Sequence, residues 1–176
     1  MSRAHHGTPV LYVFSGLPGT GKTTLAKALA SRRGAAYLRV DTIEQALRDV
    51  CAVDLQADEG YRLSYRIAAD NLRLGLDVVA DSCNPIAITR RAWERVAADA
   101  GAHCVNIETT CSDTREHRRR IENRASDIAG LRLPTWQEVE SREYQAWPES
   151  AISIDTAGRS PQECFNQLLR VLKVTP

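Results

Sequence analysis

The sequence predicts an α/β domain in which a parallel β-sheet is covered by helices on both faces. Three observations predict it. Five apolar runs of strand length alternate with segments of helical spacing, the pattern of a parallel sheet joined by right-handed crossovers. Helix starts carry capping signals, and several helices stop at glycine. The first apolar run passes through the glycine-rich turn "SGLPGTGKTT" directly into a helical pattern, the kind of junction at which such sheets hold ligands.

The elements follow in order. The first strand is "VLYVFSG" (10–16), and the next helix runs from about Lys22 to Arg33. "AAYLRVD" (35–41) is the second strand, before a helix that fades near Val50. After an acidic loop, helical spacing returns over "GYRLSYRIAADNLRLG" (60–75) and ends at Gly75. "DVVADS" (77–82) is the third strand, and a helix from Ile86 to Ala100 stops at Gly101. "HCVNIETTC" (103–111) is the fourth strand and leads into a highly charged helix over roughly 114–126. A loop with Gly130 and Pro134 separates that helix from one containing "TWQEVESREYQAW". The last strand is "ISIDT" (152–156), and a helix from Pro161 to about Leu172 closes the chain. Two starts have capping boxes, "TWQE" (135–138) and "SPQE" (160–163), the second with proline at the first helical position.

No repeat, low-complexity tract or linker divides the 176 residues, so residues 1–176 read as one domain. The formal net charge of +1 supplies no global field toward nucleic acid or an acidic membrane. No apolar run approaches the roughly 20 residues that cross a bilayer. The opening "MSRAHHGTPV" lacks the apolar core of a secretory signal, so a cytoplasmic location is expected. Five cysteines, an odd number without CxxC spacing, suggest neither a disulfide framework nor a zinc site. Cys83 alone lies beside a candidate active-site carboxylate. His5 and His6 fall in the N-terminal segment without metal-ligand spacing, and His103 and His117 read as structural or surface residues. Trp93, Trp136, Tyr144 and Trp147 have spacings that suit packing, with Trp136 and Tyr144 also candidates for a pocket border.

"GLPGTGKT" (16–23) fits the phosphate-loop pattern G-x-x-x-x-G-K-[ST] at every defined position, with a strand before it and a helix after it. Gly16, Gly19 and Gly21 permit tight dihedrals and close approach of phosphate oxygens. Successive amide N–H groups and the helix start then face an anion. Lys22 would reach the outer phosphates, and the Thr23 hydroxyl would coordinate Mg²⁺. Candidate nucleotide contacts therefore run through Gly16, Pro18, Gly19, Thr20, Gly21, Lys22, Thr23 and Thr24. Thr24 has no defined role in the pattern, and packing accounts for it equally well.

Other strand ends place Asp41, Asp81 and the pair Asp155–Thr156 at the same edge of the sheet. Asp41 could accept the proton of an acceptor hydroxyl, although "DTIE" (41–44) also has capping-box spacing. Arg48, two turns along, either reaches an anionic acceptor or is solvated. Asp81 closes an apolar run and suits a water-mediated contact to Mg²⁺, or a turn. Ser82, where motor ATPases want a water-activating glutamate, argues against a motor. "DTREHRRRIENR" (113–124) carries five arginines, with Arg115 and Arg119 sharing one helix face and Arg120 and Arg124 another. It reads either as a solvated face or as a basic lid that neutralises charge on a transferred phosphoryl group.

With these residues in place, the chain resembles the small P-loop kinases grouped around chloramphenicol phosphotransferase, zeta toxins, adenylylsulfate kinase and polynucleotide kinase. The stretches that carry the likeness are "GLPGTGKTTLA", "RVDTIEQALR", "VVADSCNP", the arginine-rich segment and "PTWQEVESREYQAW". The resemblance implies a P-loop NTPase α/β/α sandwich with strand order 2-3-1-4-5 and a helical lid at approximately 113–134. It implies ATP and Mg²⁺ as cofactors, Asp41 as base or acceptor ligand, and Arg120 and Arg124 as lid arginines. It also implies that Thr156 to Gly158 lies beside the adenine, and that "DSCNP" (81–85) borders the acceptor pocket with Asn84 as a polar contact. The residues that define sulfate-nucleotide or chloramphenicol recognition have no match, so neither substrate carries over.

The expected activity is an ATP- and Mg-dependent phosphotransferase acting on a hydroxyl of a small molecule. A polynucleotide 5′-hydroxyl kinase and a nucleotide-sugar kinase of the zeta-toxin type are alternatives. Near-neutral charge and the lack of an aromatic stacking stripe argue against the polynucleotide. An alternative of another class is a nucleotide-dependent regulatory module with little transferase activity. The acceptor's identity and the oligomeric state are not readable from the sequence.

Overall fold

β1 (Val10–Ser15) is largely apolar and buried from Leu11 onward because both of its faces are covered. In the computed structural model, which describes residues 7–51, 58–147 and 151–173, β1 is the central strand of a five-stranded sheet. The other strands are β2 (Ala36–Arg39), β3 (Val78–Asp81), β4 (His103–Thr110) and β5 (Ile152–Asp155). Their order is β2-β3-β1-β4-β5, and every pairing is parallel. Both the order and the strand count are those expected.

Alternation along the strands assigns the faces. Tyr12 and Phe14 of β1, with Val79, Ile107 and Ile154, pack against α1 (Lys22–Arg33) and α7 (Pro161–Val171). Leu11 and Val13, with Val78 and Ala80, pack on the opposite side against α3 (Glu59–Arg73) and α4 (Ala87–Asp99). The result is the three-layer α/β/α sandwich. α2 (Val40–Cys51) and α3 lie against each other beside the β2 edge, while α5 (Thr114–Asn123) and α6 (Trp136–Glu140) form the segment after β4.

Both predicted capping boxes are present. Ser160 caps α7 with Glu163, and Thr135 caps α6 with Glu138. The Thr135 backbone N–H, and then Arg132, pull the Glu138 carboxyl down to about 2. His5 and His6 lie outside the described residues.

Three boundaries differ from the sequence reading, each for a tertiary reason. β2 ends at Arg39 and α2 begins at once with Val40, which is buried in the core below the sheet. Asp41 is therefore inside the first turn of α2, and the "DTIE" spacing is not a capping box. α5 ends at Asn123 instead of running to 126, since Arg124 adopts an extended backbone. α6 stops after five residues although the following segment has helical spacing. The chain beyond it is held instead by Arg90, whose guanidinium donates to the carbonyls of Gln145 (2.6 Å) and Ala146 (2.9 Å) and lies 4.0 Å from the Trp147 ring centre.

Trp93 of α4 has 0% exposure and meets Tyr65 edge-on at 4.6 Å. Trp93→Ala is expected to cost about 3–5 kcal/mol, read as a lowered urea midpoint at unchanged m-value.

Candidate functional site

The strand order turns outward in both directions from β1, so the chain leaves a crevice at the carboxyl ends of the central strands. A cavity of about 1300 Å³ occupies it. That exceeds the roughly 300–1,000 Å³ of a single small-molecule pocket, which leaves room for a nucleotide and a second ligand side by side.

The glycine loop forms one wall. Gly16 has φ 142° and Gly21 φ 89°, values that side-chain-bearing residues rarely adopt. Gly16 is also wedged between strands: a Cβ there would collide with the Thr109 carbonyl oxygen and stand 2.8 Å from Thr20 Oγ1. Buried hydroxyls brace the turn, with Thr109 donating to the Ser15 carbonyl at 3.2 Å and lying 2.8 Å from Thr20 Oγ1. Across β3 the loop exchanges two bonds with Cys83: Gly16 N–H donates to the Cys83 carbonyl at 3.2 Å, and the thiol donates to the Gly16 carbonyl at 3.3 Å. The loop is thus set by its neighbours before any ligand arrives.

Lys22 opens α1 on the cavity wall and is only 8% exposed. Among the described residues it makes no hydrogen bond or ion pair. An ammonium kept from water without a counter-charge is costly, and the free amides of a helix start add positive potential at the same point. Pro18, Gly19, Gly21, Thr23 and Thr24 line the cavity beside it. Gly16 and Thr20 do not; they support the turn from behind.

The segment after β4 closes over this wall. His117, read from the sequence as structural or surface, is buried, and its Nε2 lies 2.7 Å from the Pro18 carbonyl. A carbonyl only accepts, so Nε2 carries the proton. The imidazole also meets Trp136 edge-on at 5.3 Å, so Trp136 holds the histidine and does not line the cavity. Ile121 covers Gly19. Arg120 donates to the Thr156 hydroxyl (2.8 Å) and carbonyl (2.9 Å) and to Glu116 (2.6 Å), while Glu116 accepts from Gly158 N–H at 2.8 Å. Thr156 in turn contacts the Thr20 carbonyl at 3.0 Å. Thr156 lines the cavity; Gly158 acts through Glu116.

At the other end of the cavity stand Asp41, Glu44, Arg48, Cys83, Arg124 and Arg142. Arg39 lies there too, 2.7 Å from Asp127, 4.0 Å from Asp41 and 3.9 Å from Asp81. Lys27 and Arg39 hold the Asp127 carboxyl well below the usual carboxylate range, which fastens the loop after α5 across α1 and β2. Burial raises the Glu44 carboxyl, and neighbouring Asp41 raises it further. Arg120 on α5 and Arg124 just past its end therefore turn to different parts of the cavity, the first to Thr156 and the second to the neighbourhood of Asp41, Cys83 and Arg142.

Asp81 is 2% exposed and does not line the cavity; it accepts from the Tyr37 hydroxyl at 2.7 Å. Burial and Asp81 keep that phenol well above its ordinary range and hence a donor. Asn84, expected at the acceptor pocket, is turned inward with φ 48° and donates to Ser15 Oγ at 3.0 Å, and Cys83 takes its place on the wall. Tyr144 packs on Arg90, with the ring centre 5.3 Å from the guanidinium. Burial pushes the Cys104 thiol up to about 12 and raises Cys111 and Cys164, so these are poor nucleophiles. No group of three or more potential metal ligands exists among the described residues.

Residues 11–140 match the protein family described as an AAA domain. Among curated proteins, the chain is 25% identical over 175 residues to the bifunctional enzyme NodQ of Rhizobium sp. (strain N33), covering 93% of this chain but only 26% of NodQ. It is 25% identical over 173 residues to a candidate adenylate kinase of Thermococcus gammatolerans, covering 93% of this chain and 86% of that protein. The chain thus spans about a quarter of one relative and most of the other. Among solved structures, the APS kinase CysC of Mycobacterium tuberculosis, in complex with AMPPNP and APS, superposes with a TM-score of 0.67 at 21% identity, over 94% of this chain and 98% of that one.

Gly16→Ala is expected to weaken Mg·ATP uptake by more than about tenfold, because the neighbouring strand backbone cannot retreat from the added methyl. Gly34→Ala is the matched control, since Gly34 is also left-handed (φ 64°) but faces open space; calorimetry should show uptake there unchanged.

Proposed function

The chain belongs to the AAA domain family and has the fold of the small P-loop kinases, and from that premise we propose that it is an ATP- and Mg-dependent phosphotransferase. It moves the γ-phosphate of ATP to a hydroxyl of a small-molecule acceptor, in the cytoplasm. The observation that carries this reading is the Lys22 ammonium, 8% exposed at a helix start and without a partner among the described residues. Phosphate oxygens supply the missing counter-charge and accept from the loop amides.

In this reading the adenine end lies toward Thr156 and Gly158, and the triphosphate follows the loop from Gly16 to Thr24. ATP in place of another nucleotide follows the AMPPNP bound by the structurally similar APS kinase. The donor set fits a hard cation that keeps most of its waters, because Thr23 offers one hydroxyl and no preformed cage exists among the described residues. Bound Mg²⁺ would neutralise charge on the outer phosphates, with Thr23 as its protein ligand; Asp81, expected to reach it through water, is instead turned away from the cavity to Tyr37 and Arg39.

The acceptor occupies the end of the cavity near Asp41. Asp41 takes the proton as the acceptor oxygen forms its bond to the γ-phosphorus and the bond to the bridging oxygen breaks, releasing ADP. Its side chain is 47% exposed, which leaves it free to meet a hydroxyl. Arg120 and Arg124 act from α5 and its end, Arg120 on the nucleotide side and Arg124 on the acceptor side beside Asp41.

Asp41→Asn should reduce phosphate transfer by about 10²–10⁴-fold while sparing Mg·ATP uptake, and Lys22→Ala should lose uptake itself. The test is calorimetry with Mg·ATP together with labelled transfer to a panel of hydroxylated metabolites. Undiminished transfer by the Asp41→Asn chain eliminates the base role.

A further inference from the structure

The acceptor end of the cavity carries an uncompensated positive charge. Lys27 and Arg39 are balanced by Asp127 and Asp81, Arg48 by Glu44 and Arg132 by Glu138. What remains there is Arg124, Arg142 and Asp41, two cations against one anion. Among the described residues neither Arg124 nor Arg142 has an ion pair. The Arg124 Nε is buried without a hydrogen-bond partner. Burial lowers its guanidinium's pKa; Asp41 opposes the fall, and Arg39 and Arg142 add to it. A cation held in that way gains most from an anion entering the cavity.

Arg142, an exposed residue, approaches the same place from another element, and the backbone after it is tethered. Its Nη1 lies 3.6 Å from Cys83 Sγ on the cavity wall. The chain just after it is fastened by Arg90, through the Gln145 and Ala146 carbonyls, and by Gln145 N–H donating to the Pro85 carbonyl at 2.9 Å. Arg142 therefore sits on a fixed strap and Arg124 at a helix end, so their guanidinium groups face one volume beside Asp41 from two sides. Such preorganisation suits planar, bidentate binding of a carboxylate, phosphate or sulfate.

We propose that Arg124 and Arg142 form an anion subsite, and that the acceptor is a hydroxyl-bearing small molecule with a carboxylate, phosphate or sulfate group close to the hydroxyl that is phosphorylated. This deepens the kinase reading and rests on it. The anion anchors the acceptor beside Asp41, which then meets the hydroxyl. Binding energy of the non-reacting anion is spent on orienting the reacting oxygen.

The test separates the two readings. Uptake of Mg·AMPPNP by the wild-type chain examines the nucleotide reading alone. Inorganic phosphate is then titrated into the nucleotide-saturated chain, or into the Lys22→Ala chain if nucleotide is not taken up. A phosphate is expected to bind, and Arg142→Gln should weaken it by about tenfold, with Arg142→Lys recovering part of the loss. In turnover, paired acceptors such as glucose and glucose 6-phosphate, gluconate and glucose, or AMP and adenosine should favour the anionic member by about tenfold in kcat/KM, chiefly through KM. Arg142→Gln should abolish that preference. Phosphate binding that is absent, or equal in the wild-type and Arg142→Gln chains, overturns the proposal, as does a preference for neutral acceptors that Arg142→Gln leaves unaltered.

Discussion

The loop ahead of α1 is organised around a charge that the protein does not neutralise. Lys22 is nearly buried, stands where helix amides are free, and finds no carboxylate among the described residues. A protein interior tolerates such a group only where a ligand anion completes it. The rest of the edge is arranged to keep that place open and rigid. Gly16 is wedged against β4, Thr20 and Thr109 bind each other behind the turn, and Cys83 ties the loop to the end of β3. Rigidity of this kind means that little reorganisation is needed when phosphates bind.

The segment after β4 is two structures with different attachments. α5 is anchored to the phosphate loop through His117 and Ile121, and to the loop after β5 through Arg120 and Glu116. The following stretch, 124–134, is fastened chiefly through Asp127, whose partners Lys27 and Arg39 are on α1 and β2. The Lys27–Asp127 pair is exposed on both sides and contributes little to stability, whereas Arg39 is largely covered. The helix thus supplies fixed geometry, while the loop beyond Arg124 is tied down chiefly by the charges around Asp127.

That division separates two arginines that the sequence spacing had placed on one helix face. Arg120 turns to Thr156 and Arg124 to the surroundings of Asp41, Cys83 and Arg142. One end of the cavity is consequently rich in hydroxyl, carbonyl and glycine contacts, and the other in guanidinium groups and carboxylates. Two ligands of different chemistry can be distinguished by such a partition, one by its polyphosphate and the other by its charge near the reacting hydroxyl.

The sequence by itself determined the α/β class, the alternation of elements, both capping boxes and the phosphate loop, because each depends on residues close together in the chain. The likeness of its motifs to small kinases supplied the strand order, which the sheet bears out. Only the tertiary structure decided that His117 braces Pro18, that Asn84 turns inward, that Arg90 holds the chain at Gln145 and Ala146, and that Arg142 faces Arg124. Those contacts join residues from different strands and helices, with separations such as the 99 positions between Pro18 and His117, and local periodicity carries no information about such pairings. His117 had one legible trace, its position four residues before Ile121 on a single helix face. Its partner carbonyl on the phosphate loop had none, because a backbone oxygen leaves no mark in the sequence.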